Sequence, residues 1–385
     1  MAIPPELQQM IAQVRQQYPH LASLPDEVVA QMLLQAMQEQ QAGLSAGEQD
    51  LEEMSSLELR RTGDQLMNTG RCDEAEEHYF AALEKAEQTD DLDGQCKCAA
   101  ALGGLCLHRG GFPQAMALFQ QALALAKRIG DRHMMSVIYD RIGSIYFMQG
   151  GYPQAIEYYK KGLEFDQEIG DEQSLAVGFG NLGNVYWKQG DFERAIQAYK
   201  RALELDIKID EERGTAQDYG RLGNVYREQG RYDLAIEMYQ KCLEIFLHID
   251  DQQNVATTYD NLGILQIRLG NYEQAIQMLQ GALEIMQQIG DEPGVARQYG
   301  NLAVAYENMG DVGQALAYYH KSLANTERIG DQHTSANQYL NLGHFYHKQG
   351  DVEQARAHVE KAKALYQMVG DAQRAQRAAQ ALRRL

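Results

Sequence analysis

The sequence predicts an all-α solenoid built from repeated pairs of antiparallel helices. Glycine recurs every 40 residues from Gly70 to Gly350, and alanine recurs in the same frame from Ala75 to Ala355. Between these marks apolar residues lie three and four positions apart, which is the spacing of amphipathic helices, and no alternating strand pattern competes. A fixed period of this length is typical of repeat folds.

The N-terminal residues 1–50 do not follow the period. Pro5–Gln16 and Asp26–Gln41 are predicted to form two amphipathic helices, separated where Pro19 and Pro25 interrupt the pattern. We interpret this segment as a helical cap on the first repeat. A small partner-binding module, or an arm exchanged between protomers, remains an alternative.

Residues 51–370 form eight repeats, and each repeat is predicted to contain two helices. A second mark, such as Gly170 followed by Asp171, lies half a period from the first. Glycine adopts the left-handed conformation that ends helices, and Asp accepts hydrogen bonds from the open N–H groups of the next helix. The predicted repeats are residues 51–90, 91–130, 131–170, 171–210, 211–250, 251–290, 291–330 and 331–370.

The C-terminal residues 371–385 are predicted to form a capping helix. One face of this helix is apolar and comprises Ala375, Ala378, Ala379 and Leu382. A helix with one apolar and one polar side covers the last repeat of a solenoid, whose apolar face would otherwise be exposed. The basic residues of the segment are an alternative partner-binding tag: Arg374, Arg377, Arg383 and Arg384.

The repeating unit resembles the tetratricopeptide repeat, most clearly in the run F-G-N-L-G-N-V-Y-W-K-Q-G-D-F-E-R-A-I-Q-A-Y-K-R-A-L that begins at Phe179. Positions within a repeat are counted so that Leu182 is position 7 and Gly183 is position 8. The 40-residue variety is similar to the repeats of Pins-type adaptors, kinesin light chains and stand-alone bacterial repeat proteins. The resemblance implies a right-handed superhelix whose first helices line a concave groove through positions 2, 5, 6, 9, 12 and 13.

Composition excludes several classes of partner. The chain has 385 residues with a formal net charge of −19, and no block of Lys and Arg occurs in it. Binding to nucleic acid or to an anionic membrane surface is therefore not expected. No apolar run is long enough to span a membrane, the N-terminus does not read as a signal peptide, and the five cysteines form an odd set. We expect a reduced, cytoplasmic protein.

Catalytic motifs do not account for the function. The run from Gly43 to Gly47 matches the G-x-S-x-G nucleophile elbow as a string, with Ser45 at its centre. That elbow requires a turn from a strand into a helix, and no strand is predicted. No P-loop, dinucleotide fingerprint or H-E-x-x-H string is present. The sequence predicts a protein that is not an enzyme and needs no cofactor.

Two groups of residues, one of cysteines and one of histidines, have side chains that can ligate a metal. Cys96 and Cys98 lie two residues apart, which places their thiols on different faces of a helix, and Cys106 occupies a core position of its repeat. His344 and His347 share a helix face without a third ligand at suitable spacing. We predict no metal site.

The groove positions of repeats three to eight are rich in amides and cations. An amide offers both donors and an acceptor to the backbone of an extended peptide, and Arg binds carboxylates through a planar fork. Basic residues outnumber acidic ones at these positions, so the groove is predicted to be positive and to attract an acidic peptide. Trp187 is predicted to be exposed and to dominate binding. The predicted groove residues are Arg141, Asn181, Asn184, Trp187, Lys188, Arg221, Asn224, Arg227, Asn261, Arg268, Arg297, Asn301, Asn341 and His344, with Asn308, Asn337, His347 and Lys348 at equivalent positions.

The predicted function is a non-enzymatic scaffold that binds a partner peptide in the groove. The asparagines at position 6 could instead satisfy the backbone of neighbouring first helices, whereas position 9 and the arginines are not explained in that way. One alternative function is a peptide sensor whose superhelix tightens on its ligand, as in Rap-type regulators. Another is a subunit that assembles with its own copies through the N-terminal arm or the groove.

Overall fold

The computed structural model describes residues 54–385, which contain helices and no strands. The predicted helices within residues 1–50 and the Ser45 motif lie outside the described residues. The helices are α1 (Ser56–Asn68), α2 (Cys72–Gln88), α3 (Leu92–His108), α4 (Phe112–Ile129), α5 (Arg132–Met148), α6 (Tyr152–Ile169), α7 (Glu172–Gln189), α8 (Phe192–Lys208), α9 (Glu212–Glu228), α10 (Tyr232–His248), α11 (Gln252–Leu269), α12 (Tyr272–Gln288), α13 (Glu292–Met309), α14 (Val312–Ile329), α15 (Gln332–Lys348), α16 (Val352–Met368) and α17 (Ala372–Arg384).

These elements confirm the predicted all-α fold of eight helix pairs, from α1 with α2 to α15 with α16, followed by a terminal helix. The chain divides into two compact units between Phe165 and Asp166, within α6. No helix among residues 54–385 combines the length and the apolarity that crossing a bilayer requires.

The helix boundaries arise from the glycine and aspartate marks of the repeat. Gly190 ends α7 with a φ of 78°, and the Asp191 carboxylate accepts from the N–H of Arg194 at 3.1 Å to begin α8. Where the mark is Asp rather than Gly, as at Asp210 and Asp250, the residue still adopts a positive φ, of 60° and 55°. The two marks of each period therefore encode the two turns of each helix pair.

Helix pairs pack closely because position 8 is small and position 24 is large. In the fifth repeat a Cβ on Gly223 of α9 would lie 2.7 Å from Cε1 of Tyr239 of α10. Tyr239 is fully buried in a cluster that includes Leu222, Val225 and Leu262. The glycine therefore makes room for the ring, and the ring joins its own pair to the next.

The end of the second unit is covered by α17. Ala375 and Ala378 are buried against Val359 and Tyr366 of α16, and Leu382 packs against the same cluster. This is the apolar face that the sequence predicts for a capping helix.

Alanine substitutions at two helical glycines should change stability in opposite directions. Gly223→Ala should lower the free energy of unfolding by about 1–3 kcal/mol, because the new methyl group overlaps the Tyr239 ring. Gly281→Ala should raise it by roughly 0.5–1 kcal/mol through helix propensity, because the nearest atoms to a Cβ there belong to Tyr259 at 3.9 Å. Urea unfolding followed by circular dichroism measures both changes. If the two substitutions changed the free energy of unfolding in the same direction, this account of position 8 would be wrong.

Candidate functional site

The first helices of consecutive pairs in the second unit present a continuous row of polar side chains, which we call the first-helix face (α7, α9, α11, α13 and α15). Several of the predicted groove residues connect neighbouring first helices along this face. Arg227 of α9 donates to Oδ1 of Asn261 of α11 at 3.1 Å. Lys348 of α15 donates to Glu307 of α13 at 3.2 Å. The structure thus aligns the predicted residues in register from helix to helix.

The asparagines at position 9 are held by buried tyrosines of their own repeats. The Tyr199 hydroxyl donates to Oδ1 of Asn184 at 2.8 Å, and the Tyr239 hydroxyl donates to Oδ1 of Asn224 at 2.7 Å. Position 9 therefore has a structural role other than satisfying the backbone of neighbouring first helices, because each amide oxygen satisfies a tyrosine hydroxyl at the edge of the core.

The first unit shows the same pairing with other polar residues. Tyr79 donates to Asp64 at 2.8 Å, and the hydroxyls of Tyr159 and Ser144 lie 3.0 Å apart. Position 9 thus carries an acceptor for the hydroxyl of the tyrosine at position 24, and an aspartate serves as well as an asparagine.

Of the remaining repeats, the second and sixth follow this rule and the seventh and eighth depart from it. Position 9 is Gly104 where position 24 is phenylalanine, and Ile264 where position 24 is leucine. In the seventh repeat Tyr319 donates instead to Glu307 at 2.8 Å, and position 9 is a valine. The eighth repeat departs in the opposite way, because His344 is polar and exposed although position 24 is a valine. The tyrosine rule does not explain it.

Arg221 is occupied by a buried acid. Its Nη1 donates to Oδ1 of Asp218 at 2.7 Å, and Asp218 is fully buried. Burial raises the pKa of the Asp218 carboxyl to about 7, while the Arg221 guanidinium opposes this rise. Nη1 also lies 2.7 Å from where a Cβ on Gly180 of α7 would stand, so Arg221 fills the junction between two first helices.

Asp260 forms a second buried acidic centre, on α11. Its Oδ1 accepts from Nδ2 of Asn301 at 2.7 Å, and its Oδ2 lies 3.4 Å from Nε of Arg297. Burial raises the pKa of Asp260. Arg221 and Arg297 are thus both paired to buried carboxylates, of which Asp260 lies at a predicted groove position and Asp218 does not. Asp218 was missed because it stands at position 3, outside the positions that the resemblance assigns to the groove.

The other predicted groove residues of the second unit are more accessible. Lys188 and Arg268 are exposed, and Nζ of Lys188 lies 4.7 Å from the centre of the Trp187 ring. Trp187 is half-buried against the cluster around Tyr199, so it is less exposed than predicted. Asn181 and Asn341 are half-buried. Asn337 accepts from the Tyr366 hydroxyl at 2.7 Å, and Asn308 donates to the backbone of its own helix.

The first unit has a different surface at the equivalent positions. Its first helices α1, α3 and α5 border a groove of about 820 Å³, in which Arg141 is exposed. Much of the lining is apolar and flexible, including Met67, Leu107, Met134 and Met148. The sequence analysis did not predict this groove, because it assigned groove residues from amides and cations alone. Met67 at position 12 and Met148 at position 13 were the residues that indicated an apolar, adaptable groove.

The cysteines considered as metal ligands are buried in separate clusters. Cys96 packs with Phe119 and Ile138, whereas Cys98 packs with Leu59. Burial raises the pKa of each thiol to about 11, which disfavours the thiolate that binds metals. Within residues 54–385 no three His, Cys, Asp or Glu side chains are grouped so that they could hold a metal ion.

These features define a helical-repeat protein with a polar surface along its first helices. The family model described as "Tetratricopeptide repeat" matches residues 214–288 and 294–368, and "MalT-like TPR region" matches residues 66–241. The chain therefore belongs to the tetratricopeptide repeat proteins.

Solved structures share the fold. BtubC (BKLC) from P. vanneervenii is 26% identical with a TM-score of 0.51, over 57% of this chain and 92% of its own. The apo quorum sensor NprR from B. thuringiensis is 15% identical with a TM-score of 0.64, over 88% and 97%. A Rap protein complexed with competence and sporulation factor is 14% identical with a TM-score of 0.53, over 86% and 96%. A search of curated proteins finds no match.

Proposed function

We propose that the protein is a non-enzymatic scaffold that binds an extended segment of a partner protein along the first-helix face of the second unit. One observation carries this proposal. Asn184, Asn224 and Asn261 each use Oδ1 in an internal hydrogen bond, and no described residue accepts from their Nδ2 groups. Three consecutive first helices therefore hold fixed amide donors at the surface.

Fixed donors suit the backbone of an extended chain. A peptide exposes carbonyl oxygens whatever its sequence, and each side-chain amide can donate two hydrogen bonds. Because the internal bonds already orient these side chains, binding costs little additional side-chain entropy. Trp187 and the Lys188 ammonium above it lie on the same face and add an apolar surface with a cation. An acidic partner and a cytoplasmic location stay predictions.

The double variant Asn184→Asp with Asn224→Asp tests the donors directly. Asp keeps the acceptor for each tyrosine, as Asp64 does for Tyr79, but removes both N–H groups. Peptides would be selected from a display library on the full chain and titrated by calorimetry. We expect the variant to bind them about tenfold or more weakly, since two hydrogen bonds are lost at roughly 1 kcal/mol each.

A matched control separates lost donors from added charge. Gln240 and Gln277 are exposed on the second helices α10 and α12. Gln240→Glu with Gln277→Glu changes the net charge equally and should bind the peptides with affinity close to that of the unmodified chain. Equal weakening in both double variants, or a library from which no peptide is enriched, would overturn the proposal.

A peptide sensor remains the second candidate function. Two proteins of similar fold are the quorum sensor NprR and a Rap protein complexed with competence and sporulation factor. Because these proteins are only 15% and 14% identical to the chain, their similarity shows the fold alone. A sensor should become more compact when a selected peptide binds, whereas a rigid scaffold should keep its small-angle scattering profile.

Self-assembly is the third candidate. It requires that copies of the chain associate through the N-terminal segment or the first-helix face. Sedimentation that shows only monomer across a wide concentration range would eliminate it.

A further inference from the structure

A cavity of about 440 Å³ lies at the C-terminal end of the first-helix face, among α15, α16 and α17. We call it the C-terminal cavity. Four of its lining side chains are basic, namely His344 and His347 of α15 and Arg377 and Arg384 of α17. Val359 of α16 contributes an apolar part of the wall. No Asp or Glu side chain is among the described residues that line the cavity.

The two arginines of this cavity differ from the cations of the first-helix face that have acidic partners. Arg297 lies 3.4 Å from Asp260, and Lys348 lies 3.2 Å from Glu307. Within residues 54–385, Arg377 and Arg384 form no ion pair. Two arginines without an acidic partner therefore lie together at this cavity, on a protein whose formal net charge is −19.

His344 supplies a second, independent observation. Position 9 is polar in the first, third, fourth and fifth repeats because a tyrosine hydroxyl requires an acceptor. In the eighth repeat position 24 is Val359, which makes no such demand. His344 is instead exposed and lines the C-terminal cavity. A polar side chain here has no role in holding the helix pair, which is consistent with a role toward a ligand.

The spacing of the cations indicates the kind of ligand. Arg377 and Arg384 are seven residues apart on one helix face, which places their backbone atoms about 10.5 Å apart along the axis. A single small anion can contact both guanidinium groups only where the two side chains converge on it. An extended chain places side chains on the same side about 6.6–7 Å apart, so several acidic residues can engage both arginines and the histidines.

We infer that the C-terminal cavity binds a segment of extended peptide that carries several Glu or Asp side chains. This inference rests on the proposed function, because it assigns the acidic part of the bound partner to one end of the first-helix face. The acidic segment would bind between α15 and α17, and the remaining peptide would continue along the amide donors of α11, α9 and α7.

Fluorescence anisotropy with a labelled octaglutamate peptide tests the inference on the full chain at low salt. We expect saturable binding that weakens as salt rises, because screening reduces attraction between exposed charges. Arg377→Glu with Arg384→Glu should weaken binding at least tenfold. A labelled diglutamate should bind the unmodified chain far more weakly than octaglutamate, because it offers fewer carboxylates to the arginines and histidines of the cavity.

The control variant carries the same change in net charge outside the cavity. Arg356 of α16 and Arg383 of α17 are exposed and do not line the cavity. Arg356→Glu with Arg383→Glu should bind octaglutamate within about twofold of the unmodified chain. Equal losses in both double variants would show non-specific charge attraction and overturn the inference. Displacement of octaglutamate by inorganic phosphate at matched ionic strength would also overturn it, in favour of a small-anion site.

The two proposals fail in different ways. If octaglutamate does not bind, while library-selected peptides bind and are weakened by Asn184→Asp with Asn224→Asp, the scaffold function stands and the C-terminal cavity is not its acidic subsite. If octaglutamate binds in the cavity but the binding of library peptides does not depend on the asparagines, the proposal that an extended segment binds along the first-helix face is wrong. Only the acidic subsite then remains.

Discussion

Replacing Tyr239 with alanine should lower the free energy of unfolding of the second unit by about 3–5 kcal/mol, the cost typical of removing a large buried aromatic side chain. Tyr239 is fully buried, and its ring lies where a Cβ on Gly223 would stand. Its cluster includes Leu222 of α9 and Leu262 of α11, so the ring stabilises both its own helix pair and the contact with the next. Urea unfolding measures the loss.

The Tyr239→Phe variant separates the ring from its hydroxyl. It keeps the packing against Gly223 and removes the hydrogen bond to Asn224, so we expect a cost of about 1 kcal/mol. Hydrogen exchange should show that Tyr239→Ala reduces protection most in α9, α10 and α11, since each repeat contacts mainly its neighbours. Similar costs for both substitutions, or a loss of protection spread evenly over residues 54–385, would contradict this account.

The fold could be predicted from the sequence because its signals are local and repeated. A glycine such as Gly190 and the aspartate that follows it fix a turn through backbone conformation and capping alone. The same signals recur every 40 residues, so an ambiguous mark in one repeat is resolved by the others. Residues 1–50 have no such repetition, and their predicted helices lie outside the described residues.

The candidate site could be predicted only in part, because the role of a surface residue depends on what lies opposite it. The sequence identified Asn224 and Arg221 as groove residues without their partners, Tyr239 and Asp218. The tyrosine partner was nevertheless visible in the sequence, since the polarity of position 9 matches that of position 24 in six of the eight repeats. The Asp218 partner was not, because a buried acid at position 3 occurs in one repeat and has no counterpart to reveal it.

Replacing Arg221 with methionine should lower the free energy of unfolding of the second unit by about 1–2 kcal/mol more at pH 8 than at pH 5. At pH 8 the Asp218 carboxylate of the unmodified chain is mostly ionised beside its guanidinium partner, whereas without that partner its pKa rises further and the group takes up a proton, which costs about 1.4 kcal/mol for each pH unit above 7. At pH 5 the raised pKa of about 7 keeps Asp218 mostly protonated even in the unmodified chain, so less is lost. Methionine retains the aliphatic contact, and urea unfolding at the two pH values measures the difference.

The sign of the pH dependence distinguishes this buried acid from an ordinary surface acid. Because folding raises the pKa of Asp218 above its unfolded value near 3.8, its stabilising contribution is complete below about pH 4 and is lost as the pH rises toward 7. Burial and Glu211 raise the pKa of the nearby Asp206, so the contribution of Asp206 to stability also falls as the pH rises. Asp218→Asn should therefore weaken the pH dependence of the free energy of unfolding without abolishing it. It should also remove most of the stability that Arg221→Met loses at pH 8. An undiminished penalty in the double variant would show that Arg221 stabilises the unit through its contact with Gly180 rather than through Asp218.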